Sequence, residues 1–436
     1  MALACGIGRR FLARNLRPQV SQLLSRPMSS TVEDIDGNDR ARYPGQRPGQ
    51  YAHFVSQPTF QLPDNMDPMP VYRVLDRSGE PIEGAEVPDL SREVVQRMYN
   101  VMLQLNEMDK VLYDVQRQGG ISFYMTAHGE EGTLVGSAAA LNNKDPVFAQ
   151  YREAAVLMWR DFSVQQCVHQ CFGNRHDFGK GKQMPVHYGS AKHSYVTISS
   201  PLTTQLPQAS GAAYALKRAS PDLCTITYFG DGAASEGDAH AAMNFAATLE
   251  CPMIFICRNN GYAISTPTSD QYRGDGIAAR GVGYGMNTIR VDGNDVFAVY
   301  NVIREARKMA LEQQRPVLVE AMTYRAGHHS TSDDSTAYRS KSEVGHWEDT
   351  EQPINRLSEY MKRQGWLQDG DEEALREEFR DKVFDAVDVA EKENKPPMIS
   401  MFEDVYDEMP DRLKRQYQFM KEHVDRNSDK YPVGSF

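Results

Sequence analysis

The sequence has few cysteines, no long apolar run and no excess of basic residues, and each absence excludes a class of protein. Six cysteines in 436 residues are too few for a disulfide framework. No apolar run reaches the roughly 20 residues that a membrane-spanning helix needs. The formal net charge of -11 argues against a nucleic-acid partner, because such partners require a basic surface. Since internal repeats are also absent, we expect one large α/β domain with an arm at each end.

Acidic residues are missing from positions 1–32, which contain five arginines and several serines. This composition is typical of a mitochondrial transit peptide, and a disordered basic tail is the alternative. Residues 33–85 are rich in Pro, Gly and Asp and are expected to form an extended arm. Residues 86–395 are predicted to form the α/β domain. Residues 396–436 carry apolar side chains with no core after them, which indicates a tail that docks on a partner.

The spacing of apolar residues predicts the main elements of the domain. Helices are expected at 92–115, 129–141, 153–172, 204–218, 233–249, 296–313, 353–364, 373–394 and about 411–426. Strands are expected at 224–229, 253–257 and 316–323. Residues 173–200 form a long loop with glycine, histidine and lysine, which is the kind of segment that lines a site.

The stretch 223–266 predicts a strand, a tight turn, a helix and a second strand, which together make one right-handed βαβ unit. The first turn and the end of the second strand open on the same edge of the sheet. Asp231 and Asn260 are therefore expected to converge. A carboxylate and an amide oxygen are hard ligands that suit magnesium, which keeps phosphate oxygens and water in its other positions.

Small residues after Asp231 favour a phosphate beside this metal. Gly232, Ala233 and Ala234 let an anion approach backbone amides at the start of a helix, and Arg258 can add a positive charge. The site is therefore interpreted as a magnesium diphosphate site. A Rossmann motif would need glycine at Ser235. A Walker loop at Gly181-Lys182 would need glycine instead of His176 and Ser or Thr instead of Gln183.

Cys167-Val168-His169-Gln170-Cys171 is the one segment that suggests a second metal. It falls within a helical pattern, and no second pair of ligands is found elsewhere in the sequence. We therefore expect these cysteines to be buried packing residues.

The sequence Gly230-Asp231-Gly232, followed after the 26 residues 233–258 by Asn259-Asn260, resembles the thiamine-diphosphate motif. Enzymes that use this cofactor need a second domain with an activating glutamate, and the roughly 40 residues after Asn394 are too few to form one. The chain therefore resembles the alpha subunit of a two-subunit 2-oxoacid dehydrogenase.

Within that group, residues 45–436 are most similar to the alpha subunits of the mitochondrial branched-chain 2-oxoacid dehydrogenases. The segments GEEGTLVGSAAAL, SSPLTTQLPQASGAAYA, GDGAASEGDAHAAMNFAATLECP, CRNNGYAIST and YRAGHHSTSDDSTAYRS carry the resemblance. Pyruvate-specific alpha subunits have an ANQG-type segment after GDG, where Ala234-Ser235-Glu236-Gly237 occurs here. They also have a glycine between the histidines of the following loop, where His328-His329 occurs here. Some branched-chain members have Glu in place of Asp231.

The resemblance implies a thiamine-diphosphate-binding α/β fold with a mostly parallel sheet flanked by helices, and it implies the following site residues. Magnesium would be held by Asp231, Asn260 and the backbone carbonyl of Tyr262, and the cofactor by Tyr151, Arg152, Ser200, Gly232, Ala233, Arg258 and His329. Ser199, Pro201, Thr204 and Gln205 would hold a structural potassium ion, with a helix N-cap as the alternative. Phe123, Tyr151 and Leu202 would line a branched aliphatic pocket. His329 would be catalytic, and Ser330 and Ser340 would be phosphorylated.

The activity implied is oxidative decarboxylation of branched-chain 2-oxo acids, with transfer of the acyl group to a lipoyl arm. The implied partners are a beta subunit in a two-alpha two-beta heterotetramer, a lipoyl-bearing acyltransferase core, and a regulatory kinase and phosphatase in the mitochondrial matrix. Two alternatives remain, namely a pyruvate dehydrogenase alpha subunit and a catalytically inactive regulatory or scaffolding paralogue.

Overall fold

The computed structural model describes residues 55–431 and the backbone of two short strands near the N-terminus. These strands, β1 (Arg40–Ala41) and β2 (Ala52–His53), pair antiparallel. The predicted transit peptide and the last five residues of the predicted tail lie outside the described residues. The chain divides between Met66 and Asp67 into two units. In the first, Phe60, Leu62 and Met66 are exposed around a 3-10 turn at Pro63–Asn65.

The second unit is built on a six-stranded sheet in which every neighbouring pair is parallel. Its strands are β3 (Val71–Tyr72), β4 (Val147–Phe148), β5 (Thr225–Gly230), β6 (Met253–Asn259), β9 (Asn287–Asp292) and β10 (Val317–Met322). Their order across the sheet is β3-β9-β10-β6-β5-β4. A small antiparallel pair, β7 (Tyr262–Ala263) and β8 (Thr266–Pro267), follows β6. A parallel sheet buried on both faces explains the continuous apolar runs of β5 and β6.

Helices cover both faces of the sheet. They are α1 (Arg92–Arg117), α2 (Glu131–Ala140), α3 (Ala154–Trp159), α4 (Val164–Phe172), α5 (Gln205–Ala219), α6 (Gly237–Thr248), α7 (Thr268–Gln271), α8 (Ala278–Gly283), α9 (Val296–Gln313), α10 (Lys341–Thr350), α11 (Pro353–Arg363), α12 (Asp371–Lys392) and α13 (Asp411–Arg426). Alternate residues of one strand point to opposite faces. Ile254 and Ile256 join the larger core with α1, α2 and α9, whereas Phe255 and Cys257 join a smaller core with α5 and α6. The predicted α/β fold with a mostly parallel sheet is confirmed.

Helix α1 shows how local sequence sets these elements. It buries Val95, Met98, Met102 and Leu105, which recur every three or four residues and so form one apolar face. The helix ends at Arg117, and Gly119 then takes a positive φ of 87°, a conformation that glycine adopts at little cost. Sequence periodicity predicted this helix to within two residues of its end.

Two predicted helices are interrupted in the structure. The segment 153–172 forms α3 and α4, because Asp161 has φ 67° and the Ser163 side chain caps a new helix by accepting from the Gln166 amide at 3.2 Å. The segment 233–249 begins as a 3-10 turn at Ala233–Ser235, and α6 starts only at Gly237. The short strands β3 and β4, the strand β9 and helix α10 were not predicted.

Part of the expected extended arm belongs to the sheet. Val71 and Tyr72 form β3 and pair with Arg290 and Val291 of β9, and Val74 after them is fully buried. The predicted boundary at residue 85 is therefore later than the boundary that the structure shows. No helix of residues 55–431 is both long and apolar enough to span a membrane.

Candidate active site

Asp231 and Asn260 lie side by side at the carboxyl edge of the sheet, as the βαβ unit requires. The register pairs Gly230 at the end of β5 with Arg258 near the end of β6. The Asp231 carboxylate is buried, accepts from Gln271 Nε2 at 2.9 Å and lies close to the Asn260 backbone. Burial raises the pKa of Asp231. A cation at this carboxylate would offset its desolvation, so the site fits a metal ligand.

The orientation of the Asn260 amide is fixed by Glu130, a residue that the sequence did not single out. Asn260 Nδ2 donates to Glu130 Oε1 at 2.9 Å, which directs Oδ1 away from that carboxylate. Oδ1 accepts from the backbone N of Tyr262 at 3.2 Å. The amide oxygen of Asn260 thus lies next to the backbone of Tyr262, another predicted magnesium ligand.

Gly232 makes the closest backbone approach in this turn. A Cβ at Gly232 would lie 2.6 Å from the Ala263 Cβ, which is closer than atoms can approach without a shift in the backbone. Ala233 and Ala234 follow in the buried 3-10 turn. The small residues therefore bring the amides after β5 against the β7 segment that carries Tyr262, as a diphosphate cradle requires.

Arg258 was predicted as a phosphate contact, and its guanidinium is bound to two buried carboxylates. Nε donates to Glu153 Oε1 at 2.6 Å, and Nη1 donates to Glu130 Oε2. Burial alone would lower the pKa of Arg258, but the Glu153 and Glu130 carboxylates together raise it. Arg258 thus remains charged at the site, and its orientation is set by partners that the sequence alone did not identify.

His329 is held between two arginines. Its Nδ1 lies 3.2 Å from Arg152 Nη2 and 3.2 Å from Arg325 Nη1, and its carbonyl accepts from Arg152 Nη2 at 2.8 Å. Burial lowers the pKa of His329 to about 3, with help from both guanidinium groups. The Tyr151 ring packs edge-on against the imidazole with centroids 6.1 Å apart. The structure therefore brings the predicted cofactor residues Tyr151, Arg152 and His329 together.

Ser200 is exposed and bound to a histidine that the sequence analysis did not select. Ser200 Oγ lies 2.8 Å from His187 Nε2, and His187 Nδ1 lies 3.0 Å from the carbonyl of Pro185. Since a carbonyl can only accept, Nδ1 carries the proton and Nε2 accepts from the serine hydroxyl. Val186, which lies between Pro185 and His187, has φ 63°, a strained conformation for a β-branched residue.

The predicted potassium residues form a compact turn. Thr204 Oγ1 donates to the Pro201 carbonyl at 3.1 Å and lies 3.2 Å from Ser199 Oγ. Thr204 is the N-cap of α5, but its side chain makes no capping bond. The capping alternative therefore has no support from this hydrogen-bonding pattern, and the potassium site stays a prediction.

The predicted substrate pocket is less well defined. Phe123 and Tyr151 pack against the larger core, whereas Leu202 is exposed. The assignment of these three residues to an aliphatic pocket stays a prediction.

The two predicted phosphorylation sites have different environments. Ser330 is buried, and its Oγ accepts from the Ser332 amide at 3.2 Å. Ser340 is exposed at the N-cap of α10, where its Oγ accepts from the Glu343 amide at 3.1 Å. The polar loop 325–339 buries the side chains of Arg325 and Arg339.

The cysteines of the segment 167–171 pack in the core, as predicted. Cys167 and Cys171 are buried in α4, and Cys171 Sγ lies 3.6 Å from Tyr188 Oη. No cluster of three or more His, Cys, Asp or Glu side chains within residues 55–431 could hold a metal. The predicted magnesium site is of another kind, because only one of its three ligands belongs to those residue types.

Glu130 and Glu153 are the main site residues that sequence reasoning missed. Both are fully buried and bind Arg258. The available signal was Gly129-Glu130-Glu131-Gly132, two acidic residues at the start of an apolar helix, since carboxylates in such a place need partners.

Comparison with known proteins gives a consistent result over most of the chain. The family model described as "Dehydrogenase E1 component" matches residues 99–399. The chain is 54% identical to the human 2-oxoisovalerate dehydrogenase subunit alpha, mitochondrial, over 98% of this chain and 93% of the relative. It is 52% identical to the Caenorhabditis elegans protein of the same name, over 94% of this chain and 95% of that protein. It is 49% identical to the Arabidopsis thaliana 2-oxoisovalerate dehydrogenase subunit alpha 2, mitochondrial, over 88% of this chain and 82% of that protein.

Proposed function

The chain belongs to the dehydrogenase E1 component family, and we propose that it is the alpha subunit of a branched-chain 2-oxoacid dehydrogenase decarboxylase. It is an oxidoreductase that acts on an oxo group with lipoamide as acceptor, that is, a 3-methyl-2-oxobutanoate dehydrogenase. The relatives that match it over most of its length are named 2-oxoisovalerate dehydrogenases and mitochondrial proteins, which argues against the pyruvate alternative.

The observation that carries this proposal is the convergence of Asp231, Gly232 and Asn260 at one edge of the sheet. Asp231 and Asn260 supply the oxygen ligands of magnesium, with the Tyr262 carbonyl as third. Gly232 and Ala233 provide the backbone cradle for the diphosphate of thiamine diphosphate. Retention of every ligand also argues against an inactive paralogue.

Thiamine diphosphate supplies an electron sink for the bond cleavage that releases carbon dioxide. The residues of this chain bind and orient it. Arg152 and Arg258 add positive charge near the diphosphate, Ser200 is held in place by His187, and Tyr151 closes one side. His329 presents the Nε2–H as a donor, since Nδ1 faces two guanidinium groups and must accept. It serves in acyl transfer to the lipoyl sulfur.

A potassium ion at Ser199, Pro201, Thr204 and Gln205 would fix the turn that precedes α5. Thr204 Oγ1 already lies close to Ser199 Oγ and the Pro201 carbonyl, which supports a small oxygen-lined site. Phe123, Tyr151 and Leu202 line the aliphatic end of the substrate.

An alpha subunit requires a beta subunit, and we infer a two-alpha two-beta heterotetramer that works with a lipoyl-bearing acyltransferase core. The transit peptide at 1–32 directs the chain to the mitochondrial matrix. Residues 86–395 bind the diphosphate, and residues 396–436 dock on a partner. A kinase and a phosphatase act on Ser330, the regulatory site, and on Ser340, a secondary one.

The test is steady-state kinetics of the complex reconstituted with its beta subunit, on 3-methyl-2-oxobutanoate and on pyruvate. We expect a clear preference for the branched acid.

Asp231→Ala should weaken magnesium-dependent cofactor binding by more than the roughly 10-fold to 100-fold that is typical when a residue outside the metal's direct ligands is lost. His329→Ala should abolish the overall reaction and keep the fold. Equal use of pyruvate, or unchanged cofactor affinity in Asp231→Ala, would contradict the proposal.

A further inference from the structure

The C-terminal half of helix α1 supports the loop that carries His329, although none of its residues belongs to the proposed site. Asp109, Tyr113 and Arg117 occur at four-residue spacing, so they project from one face of the helix. Two segments lie next to this face. We call residues 124–131 the inner segment and residues 323–335 the histidine loop.

Asp109 holds the inner segment at two points. Its Oδ1 accepts from Tyr124 Oη at 2.9 Å, and its Oδ2 accepts from the backbone N of Ala127 at 2.6 Å. Asp109 is almost fully buried. A buried carboxylate with two donors fixes the position of both, because either donor would be left unsatisfied if it moved away.

The inner segment in turn binds the histidine loop. The backbone N of Tyr124 donates to Thr331 Oγ1 at 3.1 Å, and the backbone N of Thr331 donates to the Tyr124 carbonyl at 3.0 Å. The Ala326 amide donates to the His128 carbonyl at 3.0 Å. At Gly129, a Cβ would lie only 2.2 Å from the Tyr324 carbonyl oxygen. The two segments are therefore in direct backbone contact along their length.

The inner segment also sets the position of the arginine that binds His329. Arg152 Nη1 donates to the carbonyl of Thr126, one residue before Ala127. Arg152 Nη2 donates to the His329 carbonyl at 2.8 Å. Displacement of the inner segment would therefore move Arg152 and the histidine loop together.

Two further side chains of α1 contact the histidine loop directly. The Tyr113 ring stacks on His328 with centroids 6.4 Å apart, and Arg117 Nη1 donates to the Thr331 carbonyl at 3.2 Å. The same face of the helix thus contacts the loop on both sides of His329.

We propose that Asp109 is a positioning residue that sets the places of Arg152 and His329 through the inner segment. The catalytic consequence rests on the proposed function, because it requires that His329 act in acyl transfer. The structural consequence does not depend on it, since it concerns only the order of the two segments.

The experiment compares Asp109→Ala and Asp109→Asn in the complex with the beta subunit. Hydrogen exchange is measured in residues 124–131 and 323–335, with kcat and KM for acylation of a free lipoyl domain. Asp109→Ala should exchange faster in both segments, with kcat lower by about 10-fold to 100-fold, as expected for misplaced reacting groups. Asp109→Asn should behave like wild type, because an amide can accept from Ala127 and donate to Tyr124.

Glu107→Gln is the matched control. Glu107 is a buried carboxylate on the same helix, but it binds Arg376 and Arg380 of α12. It should alter thermal stability without faster exchange in the histidine loop. If Asp109→Ala does not fold, Tyr124→Phe removes one of the two bonds and should give the same local change in smaller size.

Three results would overturn the inference. The first is hydrogen exchange in both segments that is as slow as in wild type in Asp109→Ala or in Tyr124→Phe. The second is an Asp109→Asn variant whose exchange and kcat are changed as much as those of Asp109→Ala. The third is a histidine loop that exchanges equally fast in Glu107→Gln, which would make Asp109 an ordinary core residue. A wild-type complex without activity on branched 2-oxo acids, with localised exchange in Asp109→Ala, would refute the proposed function and leave the positioning role supported.

Discussion

His329 is placed so that one ring nitrogen faces cations and the other carries the ring proton. Guanidinium groups donate and cannot accept, so Nδ1 beside Arg152 and Arg325 must be the accepting nitrogen. The proton then resides on Nε2. Burial and the two positive charges disfavour the imidazolium form. The imidazole is therefore neutral and has one defined tautomer.

We expect His329 to stay neutral from pH 8 down to about pH 5, because its pKa is lowered from 6.5 to about 3. Because the pKa of His329 is lower in the folded state, the unfolded chain binds an extra proton between about pH 6.5 and pH 3. The contribution of His329 to the free energy of unfolding is therefore full above pH 6.5 and is lost as the pH falls toward 3. NMR spectra of histidine-labelled protein recorded across this pH range, with the His329 signal assigned from a His329→Gln variant, would measure the protonation of His329. A His329 signal that titrates near pH 6.5 would contradict the assignment.

Asp109 should produce a pH dependence of the opposite sign. Burial raises its pKa from 3.8 to about 7, so the folded protein binds an extra proton between about pH 4 and 7. Its contribution to stability is present at low pH and is lost as the pH rises through 7. Nearby charges that act on it are Glu131, which raises the pKa, and Arg152, which lowers it.

Thermal unfolding of Asp109→Asn against wild type at pH 5 and pH 8 tests this. The melting temperature of the variant relative to wild type should be higher at pH 8 than at pH 5, because the amide avoids burial of a charge. Glu107→Gln should show little change between pH 5 and pH 8, because Lys110 and Arg376 lower the pKa of Glu107 against the effect of burial, so its contribution changes only below its ordinary pKa of 4.5. The same trend in both variants would refute the assignment.

At the scale of elements, the loop that joins β10 to α10 places its two candidate phosphorylation sites in opposite settings. Ser330 is buried beside Asp333, whose carboxylate accepts from the His329 amide at 2.8 Å. A phosphate there adds about -1.5 to -2 charges next to a carboxylate. Ser340 instead caps α10, and a phosphate at a helix N-terminus is stabilised by the helix dipole.

We therefore expect phosphorylation at Ser330, and not at Ser340, to disorder the loop and block acyl transfer. Ser330→Glu should lower the rate of lipoyl-domain acylation strongly relative to Ser330→Ala, whereas Ser340→Glu should resemble Ser340→Ala. Acylation assays on the reconstituted heterotetramer would measure these rates. Full activity of protein stoichiometrically phosphorylated at Ser330 would dispose of the idea.

Access to Ser330 also requires the loop to open. Under the proposed function, saturating thiamine diphosphate and magnesium should slow phosphorylation of Ser330, because a cofactor bound to His329 and Arg152 would hold both residues in place. The exposed Ser340 should be affected much less. Equal slowing at both serines would show that the cofactor acts on the kinase or on the whole complex.

Local sequence predicted the long elements well and the short ones poorly. Helix α9 and helix α13 have the predicted bounds, because their apolar spacing is sustained over several turns. The two-residue strands β3 and β4 have too few residues for any period to show. The break between α3 and α4 at Asp161 and Ser163 follows Arg160, which is buried and donates to the carbonyls of Asp145 and His193, and such distant contacts leave no local pattern.

The same distinction applies to the candidate site. Asp231 and Asn260 were predicted to meet because two adjacent parallel strands place their ends together. The partners of Arg258 and His329 were not predicted, since Glu130, Glu153 and Arg325 come from three different segments. Spacing within one βαβ unit carries information about convergence, whereas contacts between units depend on tertiary packing.

At the scale of the whole molecule, apolar side chains remain exposed where the tail follows the α/β domain. Met401, Val405 and Phe419 are each more than half exposed. Such a group of apolar side chains favours burial against a partner. The resemblance to two-subunit thiamine-diphosphate enzymes also implies that a glutamate of a second subunit activates the thiamine ring.

These features predict that the chain alone is inactive and that its tail helps to bind the beta subunit. Decarboxylation assays should show activity only after the beta subunit is added.

The double variant Met401→Ser, Val405→Ser should weaken alpha–beta association by about 1 to 3 kcal/mol for each side chain buried at the interface. Val389→Ser, which alters an exposed apolar residue on α12, is the matched control and should leave association unchanged. Sedimentation at graded protein concentrations measures the affinity. Turnover by the purified alpha chain would remove the need for a partner glutamate, and unchanged association of the double variant would show that the tail docks elsewhere.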